Sequence, residues 1–185
     1  MSAATNRGGQ FPESMKFLHW LTAALVLTML CIGAGMLASI ADYHRLVSVH
    51  RPLGIAILIV VAIRFVNRLA NHSRLPAWPA TVPPAERVVA GLSEKVLYTL
   101  LFLIPLVGWG MLSAAGYPIV MWGSFHLFPI LPHDVVLYSF LRKTHAVLAY
   151  LLFFAFVAHF GGVLFHTVVL RDGLIKRMAG GRERA

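Results

Sequence analysis

The strongest constraint in this sequence is a run of 27 residues, from Thr144 to Leu170, that contains no Lys, Arg, Asp or Glu. As a helix rising about 1.5 Å per residue, it is long enough to cross a hydrocarbon layer of about 30 Å. The run carries His145 and His159. Their spacing puts them on nearly one helix face, about 21 Å apart along the axis. Ionisable side chains within a membrane span are costly and usually functional, so this helix predicts a site at two depths.

The composition agrees with a membrane protein. Of 185 residues, 58% are hydrophobic and only 12% are charged, which is too apolar for a soluble domain of this size. The net charge of +9 is scattered at predicted helix ends and forms no basic face, so we expect no nucleic-acid partner. Cys31 is the single cysteine, which excludes an intrachain disulfide and a Cys-x-x-Cys-His haem attachment motif.

Three further uncharged or nearly uncharged segments predict spans, so we expect an all-α, integral membrane four-helix bundle. The four spans are predicted at about 18–41, 47–68, 96–115 and 144–170. A short surface helix is expected over 85–92, and a long connection over 116–141 is expected to lie on the membrane surface. Residues 1–16 lack the features of a signal peptide and form an N-terminal segment, residues 17–178 the four-helix domain, and residues 179–185 a basic tail.

The distribution of basic residues predicts the orientation. The N-terminal segment, the second connection with its flanks and the tail hold twelve Lys and Arg, including Arg7, Arg182 and Arg184. The other two connections hold four: Arg45, Arg51, Arg142 and Lys143. By the positive-inside rule, both termini are expected in the cytoplasm.

With that topology the membrane histidines fall at two levels, His50 with His145 outside and His19 with His159 inside. A low-spin b-type haem needs two imidazoles on opposite sides of its iron, held by helices that face each other across a bundle. The arrangement therefore predicts two haem b groups with bis-histidine iron ligation.

Other assignments for the histidines have to be weighed. A single histidine in a span is as often a hydrogen-bonded packing residue as a ligand. His166 lies about 10 Å beyond His159 on a similar face and competes with it as the inner ligand. His126 with His133 could bind zinc or copper, although their spacing is not specific for either metal.

Three groups of residues could support such sites. Arg64, fourteen residues after His50, is expected near the inner haem, where it pairs with a propionate or snorkels to the headgroups. Gly54, one turn after His50, leaves room for a porphyrin or for helix packing. The four outer basic residues either neutralise propionates and contact headgroups or steer a small anion to the outer haem.

The chain resembles the bacterial cytochrome b561 family of di-haem, four-helix membrane cytochromes, which is similar to the cytochrome b subunits of nickel-iron hydrogenases. The resemblance covers nearly the whole chain and rests on a set of short motifs. These are Leu18-His19-Trp20, His50 with Gly54, Arg64 and Arg68, Leu106 to Met111 after Pro105, His145 with His159, Arg171-Asp172 and Arg177-Met178. It implies that His19, His50, His145 and His159 ligate two b haems. Ala146 stands where the family often has an acidic residue, and His166 stands alone where paired histidines are common.

Members of this family are similar to the superoxide oxidase of the bacterial inner membrane. The resemblance implies a multi-pass inner-membrane protein that oxidises superoxide at the outer haem and reduces ubiquinone, with membrane lipid as its surroundings. Arg45, Arg51, Arg142 and Lys143 are then the candidate catalytic residues. The alternative is an electron-transfer subunit of the hydrogenase type that serves a separate periplasmic redox partner. A third alternative is a haem-free transporter lined by histidines. The sequence gives it no support, because it contains no acidic relay and no pair of broken helices.

Overall fold

The computed structural model describes residues 10–78, 82–121, 123, 125–173 and 175–179. Arg7, Trp122 and the tail residues Arg182 and Arg184 lie outside the described residues. The described elements are five α-helices and one two-stranded hairpin. They are α1 (Glu13–Ala38), α2 (Tyr43–Ala70), α3 (Pro84–Ala114), β1 (Ile119–Met121), β2 (Phe125–Leu127), α4 (Val135–Leu164) and α5 (Lys176–Ala179). A 3-10 turn (His72–Arg74) follows α2, and a π-helix (Phe165–Leu170) extends α4.

Four of these helices, α1 to α4 with its extension, are long and apolar enough to span a membrane, which confirms the predicted all-α membrane bundle. Their outward faces are apolar; Leu37, Val66 and Phe154 are each more than 60% exposed. Such a surface is stable against lipid and not against water. The small buried core takes side chains from all four helices, among them Val26, Val61, Leu100 and Leu152.

Close backbone packing joins consecutive helices in the described chain: α1 with α2, α2 with α3, and α3 with α4. The last helix does not pack closely along α1 or α2. Side chains that project from α4 towards α1 and α2 therefore meet in space that the backbones leave open.

All four spanning helices begin before their predicted spans, and the difference is largest for α3 and α4. Helix α3 starts at Pro84 and absorbs the expected surface helix, because no helix-breaking residue separates the two and Pro84 suits a first turn. Helix α4 starts at Val135, where the Asp134 carboxylate caps it by accepting a hydrogen bond from the Leu137 N–H at 2.8 Å. The expected connection over 116–141 was wrong in its second half, because a helix continues through charged residues wherever they reach the membrane surface.

The remaining part of that connection is folded as an antiparallel hairpin that pairs Val120 with His126. The segment that follows β2 is hydrogen-bonded to α3. The Trp109 indole donates to the Phe128 carbonyl at 3.0 Å, and the Ser113 hydroxyl accepts from the Ile130 N–H at 3.1 Å. We call this end of the bundle the hairpin end.

The two ends of the described chain meet at the opposite end of the bundle. The Phe11 N–H donates to the Arg177 carbonyl at 3.4 Å, and the Trp20 indole donates to the Met178 carbonyl at 3.1 Å. The N-terminal and C-terminal segments therefore share one side, which we call the terminus end.

The concentration of basic residues at the terminus end predicts that this end faces the cytoplasm. We expect a green fluorescent protein fused to the C-terminus to fluoresce, and alkaline phosphatase fused there to be inactive. Alkaline phosphatase inserted at Gly123 in the hairpin should be active. The opposite pattern of the two phosphatase fusions would contradict the orientation.

Candidate functional site: two histidine pairs

The first histidine pair lies at the hairpin end. His50, near the start of α2, faces His145 of α4, with 6.1 Å between the ring centroids and 70° between the ring planes. Both rings come from helices that do not pack closely against each other. The pair therefore joins two helices whose backbones stay apart, and the structure brings these two residues together as the sequence predicted.

Neither ring is held by hydrogen bonds at Nδ1. The Nδ1 atoms of His50 and His145 are both buried and have no hydrogen-bond partner among the described residues. A buried polar atom without a partner costs about 1–3 kcal/mol. For His50 this argues against the alternative of a hydrogen-bonded packing residue.

The spacing of the two rings fits a shared metal ion. An imidazole nitrogen binds a transition metal at about 2 Å, so rings on opposite sides of one ion have centroids about 6 Å apart. The observed 6.1 Å matches that distance. The two rings thus fit a bis-imidazole iron site.

Helix α3 supports the His145 ring from behind. A Cβ atom at Gly108 would lie only 3.2 Å from His145 Cε1, and the backbone of Ile104 interacts with the same ring. A backbone partner of this kind orients an imidazole and selects its tautomer. Gly108 therefore permits the close approach of α3 to this side chain, which a methyl group would force to shift. A Cβ atom at Gly54 would make only an ordinary contact with Met29, at 3.8 Å.

The second pair lies at the terminus end and involves a cation. His19 of α1, His159 of α4 and Arg64 of α2 are close enough for their charges to interact. The Arg64 guanidinium lies 3.0 Å from His19 Nδ1. The structure thus brings Arg64 to the level of His19 and His159, where its spacing from His50 predicted it.

The contact with Arg64 fixes the state of the His19 ring. A guanidinium only donates, so His19 Nδ1 accepts and the ring proton is on Nε2. Ligation through Nε2 requires Arg64 to leave this nitrogen for another partner. A second partner is already in place, since the Arg64 Cζ lies 5.1 Å from the centroid of the Tyr98 ring and the two side chains hydrogen-bond.

His166 is engaged elsewhere. Its Nδ1 lies 2.5 Å from an Asp172 carboxylate oxygen, and its Nε2 lies 3.9 Å from Glu86 of α3. The two nitrogens of this ring therefore each interact with a carboxylate, and the ring belongs to the π-helix beyond α4. Of the two candidates for the inner position, His159 is the one beside Arg64.

The four basic residues at the hairpin end form no ion pair with an acidic side chain within the described part of the chain. Arg45, Arg142 and Lys143 are exposed, and Arg51 is half-buried with its Nε buried and unpaired. Arg51 also lines a cavity of about 480 Å³ between α2 and the hairpin. These charges stay available to an anion that approaches this end.

The histidines of the connections show no metal site. His133 Nδ1 lies 3.0 Å from the Ala114 carbonyl, and His126 is exposed on the hairpin. In the part of the chain that the structure describes, no group of three or more His, Cys, Asp or Glu side chains could hold a metal ion. The open possibility of zinc or copper at His126 and His133 gains no support.

Comparison with known proteins identifies the family of the chain. The family model described as prokaryotic cytochrome b561 matches residues 10–181. The chain belongs to the prokaryotic cytochrome b561 family. It is also 30% identical to the cytochrome b561 homolog 2 of Escherichia coli (strain K12) over 179 residues, which are 95% of this chain and 94% of that protein. As a cytochrome b561 it is a multi-pass bacterial membrane protein of electron transfer, and the family implies that it binds haem b.

Sequence reasoning missed the contacts that surround the histidines in this cytochrome b561. Gly108 was not among the predicted site residues, because its contact with His145 joins two helices. Tyr98 carried no signal, because it meets Arg64 from a different helix. The hydrogen bond between Trp20 and Met178 crosses 158 residues, so no local pattern indicated it.

We expect Gly108→Ala to lower the haem content per protein, because the new methyl group would lie 3.2 Å from His145 Cε1 and displace the ring. Alanine favours a helix over glycine, so unfolding of α3 does not explain such a loss. Gly91→Ala, on the same helix with nothing within 4 Å, is the matched control. Pyridine haemochrome assays on both purified variants measure the effect, and equal haem content would contradict it.

Proposed function

We propose that this protein is a di-haem b-type cytochrome that oxidises superoxide at the hairpin end and reduces a quinone such as ubiquinone. The observation that carries the proposal is the His50–His145 pair, two buried imidazoles 6.1 Å apart whose Nδ1 atoms have no hydrogen-bond partner among the described residues. In this proposal the hairpin end faces the periplasm and the terminus end faces the cytoplasm of a bacterium with the protein in its inner membrane.

His50 and His145 would hold one haem and His19 and His159 the other. The fourteen-residue spacing of His145 and His159 separates the two levels by about 21 Å along α4. The choice of His159 over His166 is supported by the two carboxylates that engage His166. Haem b bound at these positions would supply reversible one-electron transfer between ferric and ferrous iron.

Arg64 would exchange its partner when the second site is loaded. It donates to His19 Nδ1 at 3.0 Å, and ligation frees it to pair with a propionate carboxylate while it stays near Tyr98. Glu94, which forms a salt bridge with Arg68 at 2.8 Å, also lies close enough to attract the Arg64 charge. The resulting charge pair would lie at the cytoplasmic boundary, where arginine is tolerated.

The superoxide assignment is supported by the charge at the hairpin end. Superoxide is an anion, and four basic side chains without an acidic partner among the described residues raise the rate at which an anion arrives. Arg51, with its buried and unpaired Nε beside the cavity, is the best placed of the four to attract an anion into it.

The overall reaction balances with these partners. Two superoxide anions each lose one electron and leave as dioxygen. One quinone gains the two electrons and takes up two protons, which makes one quinol. The residues of the chain hold the haems in place, guide the anion and exclude water from the path between the two levels.

Each ligand histidine should be required for one haem. We expect His50→Ala and His159→Ala to lose about half of the haem each, and His166→Ala to keep both haems. Haem content and the reduced α-band of the purified variants measure this. Loss in His166→Ala together with full content in His159→Ala would assign the inner ligand to His166 instead.

Superoxide should reduce the bound haem of the purified protein, and an added ubiquinone analogue should reoxidise it. At low ionic strength we expect the Arg142→Gln and Lys143→Gln double variant to be reduced about ten-fold more slowly, because steering by these charges is lost. High salt should weaken the reduction of the wild type in the same way.

Arg74→Gln, an exposed charge at the terminus end, is the matched control and should keep the wild-type rate. Stopped-flow absorption measures the rate at which superoxide reduces the haem in the wild type at low and high salt, in the double variant and in Arg74→Gln. Haem that dithionite reduces and superoxide does not would contradict the superoxide assignment and favour an electron-transfer subunit with a separate redox partner.

A further inference from the structure

The C-terminal segment reaches back to the first helix next to His19. The Trp20 indole N–H donates to the Met178 carbonyl at 3.1 Å. The edge of the same indole meets the His19 ring, with 5.5 Å between centroids and 77° between planes. One aromatic side chain thus contacts both the C-terminal segment and the candidate ligand.

Arg177, the neighbour of Met178, fixes this segment to two other parts of the terminus end. Its guanidinium donates to the Ala77 carbonyl in the connection after α2, at 2.8 Å. Its Cζ lies 5.9 Å from the centroid of the Phe11 ring, and its carbonyl accepts from the Phe11 N–H at 3.4 Å. Partial burial lowers the pKa of Arg177, which remains charged because arginine does not deprotonate in proteins.

We propose that Trp20 and Arg177 are positioning residues for the haem site at the terminus end, acting through the segment 175–179, which we call the latch. The proposal rests on the assignment of His19 as a haem ligand under the proposed function. The latch holds the indole, and the indole limits rotation of the His19 ring.

The physical basis is the control of a ligand by its neighbours. Groups that touch a ligating imidazole set its orientation, and their loss weakens metal binding and changes the properties of the metal. Trp20 is half exposed, so lipid contact alone would leave its ring free to turn. Its single hydrogen bond, to a backbone atom that Arg177 holds in place, removes that freedom.

The test uses the full-length holoprotein in detergent. We expect Trp20→Phe, which keeps an aromatic ring and loses the N–H, to release one haem to apomyoglobin about five-fold faster, the effect of losing one hydrogen bond. Arg177→Ala should accelerate loss of the same haem. The double variant should match the single variants, because both changes open the same latch.

A spectroscopic signature separates positioning from general destabilisation. The low-spin electron paramagnetic resonance signal of one haem should shift in Trp20→Phe and Arg177→Ala, and the other should stay unchanged. Arg177→Lys, which can still donate to the Ala77 carbonyl, should remain close to the wild type. Trp109→Phe removes a similar indole-to-carbonyl bond at the hairpin end. In this variant the signal that shifts in Trp20→Phe should stay at its wild-type position.

Two results would overturn the role of the latch. If Trp20→Phe and Arg177→Ala change neither signal, or change both equally, while His19→Ala loses one haem, the ligand assignment holds and the latch does not position it. If His19→Ala keeps both haems, the ligand assignment itself is wrong and the latch role is wrong with it.

Discussion

The arrangement of this bundle depends on the cost of placing imidazole rings among apolar helices. A buried ring nitrogen without a partner loses about 1–3 kcal/mol, and the hairpin end has two such atoms on facing rings. The packing of these two rings alone therefore does not stabilise the folded chain. Iron bound by the two rings would offset this cost, and the cofactor would lie between α4 and helices α1 and α2, whose backbones do not pack closely.

The two histidine pairs differ in the contacts that surround their rings. At the hairpin end Gly108 and the backbone of Ile104 lie against the His145 ring, so contact with α3 orients that ring. At the terminus end Arg64 contacts His19 directly and also meets Tyr98. One pair is shaped by close backbone approach and the other by charge, which would give the chain separate means to tune the two proposed haem sites.

The sequence predicted what depends on local spacing. Fourteen residues between His145 and His159, and between His50 and Arg64, fixed the helix faces and the two levels, and uncharged runs fixed the four spans. Helix starts at Pro84 and Val135 were missed, because charge marks the membrane boundary and helices extend beyond it. Contacts such as Gly108 with His145 and Trp20 with Met178 join distant segments, and no local pattern encodes which residues will meet.

Helix α4 supplies one histidine to each proposed pair, while α1 and α2 supply the others. Because α4 is the last of the four spans along the chain, neither pair exists during synthesis until that helix has entered the bilayer. Haem capture would then be a late event in biogenesis that follows membrane insertion. The backbone of α4 packs closely along α3 and not along α1 or α2, so both pairs close only when side chains of α4 reach the first two helices.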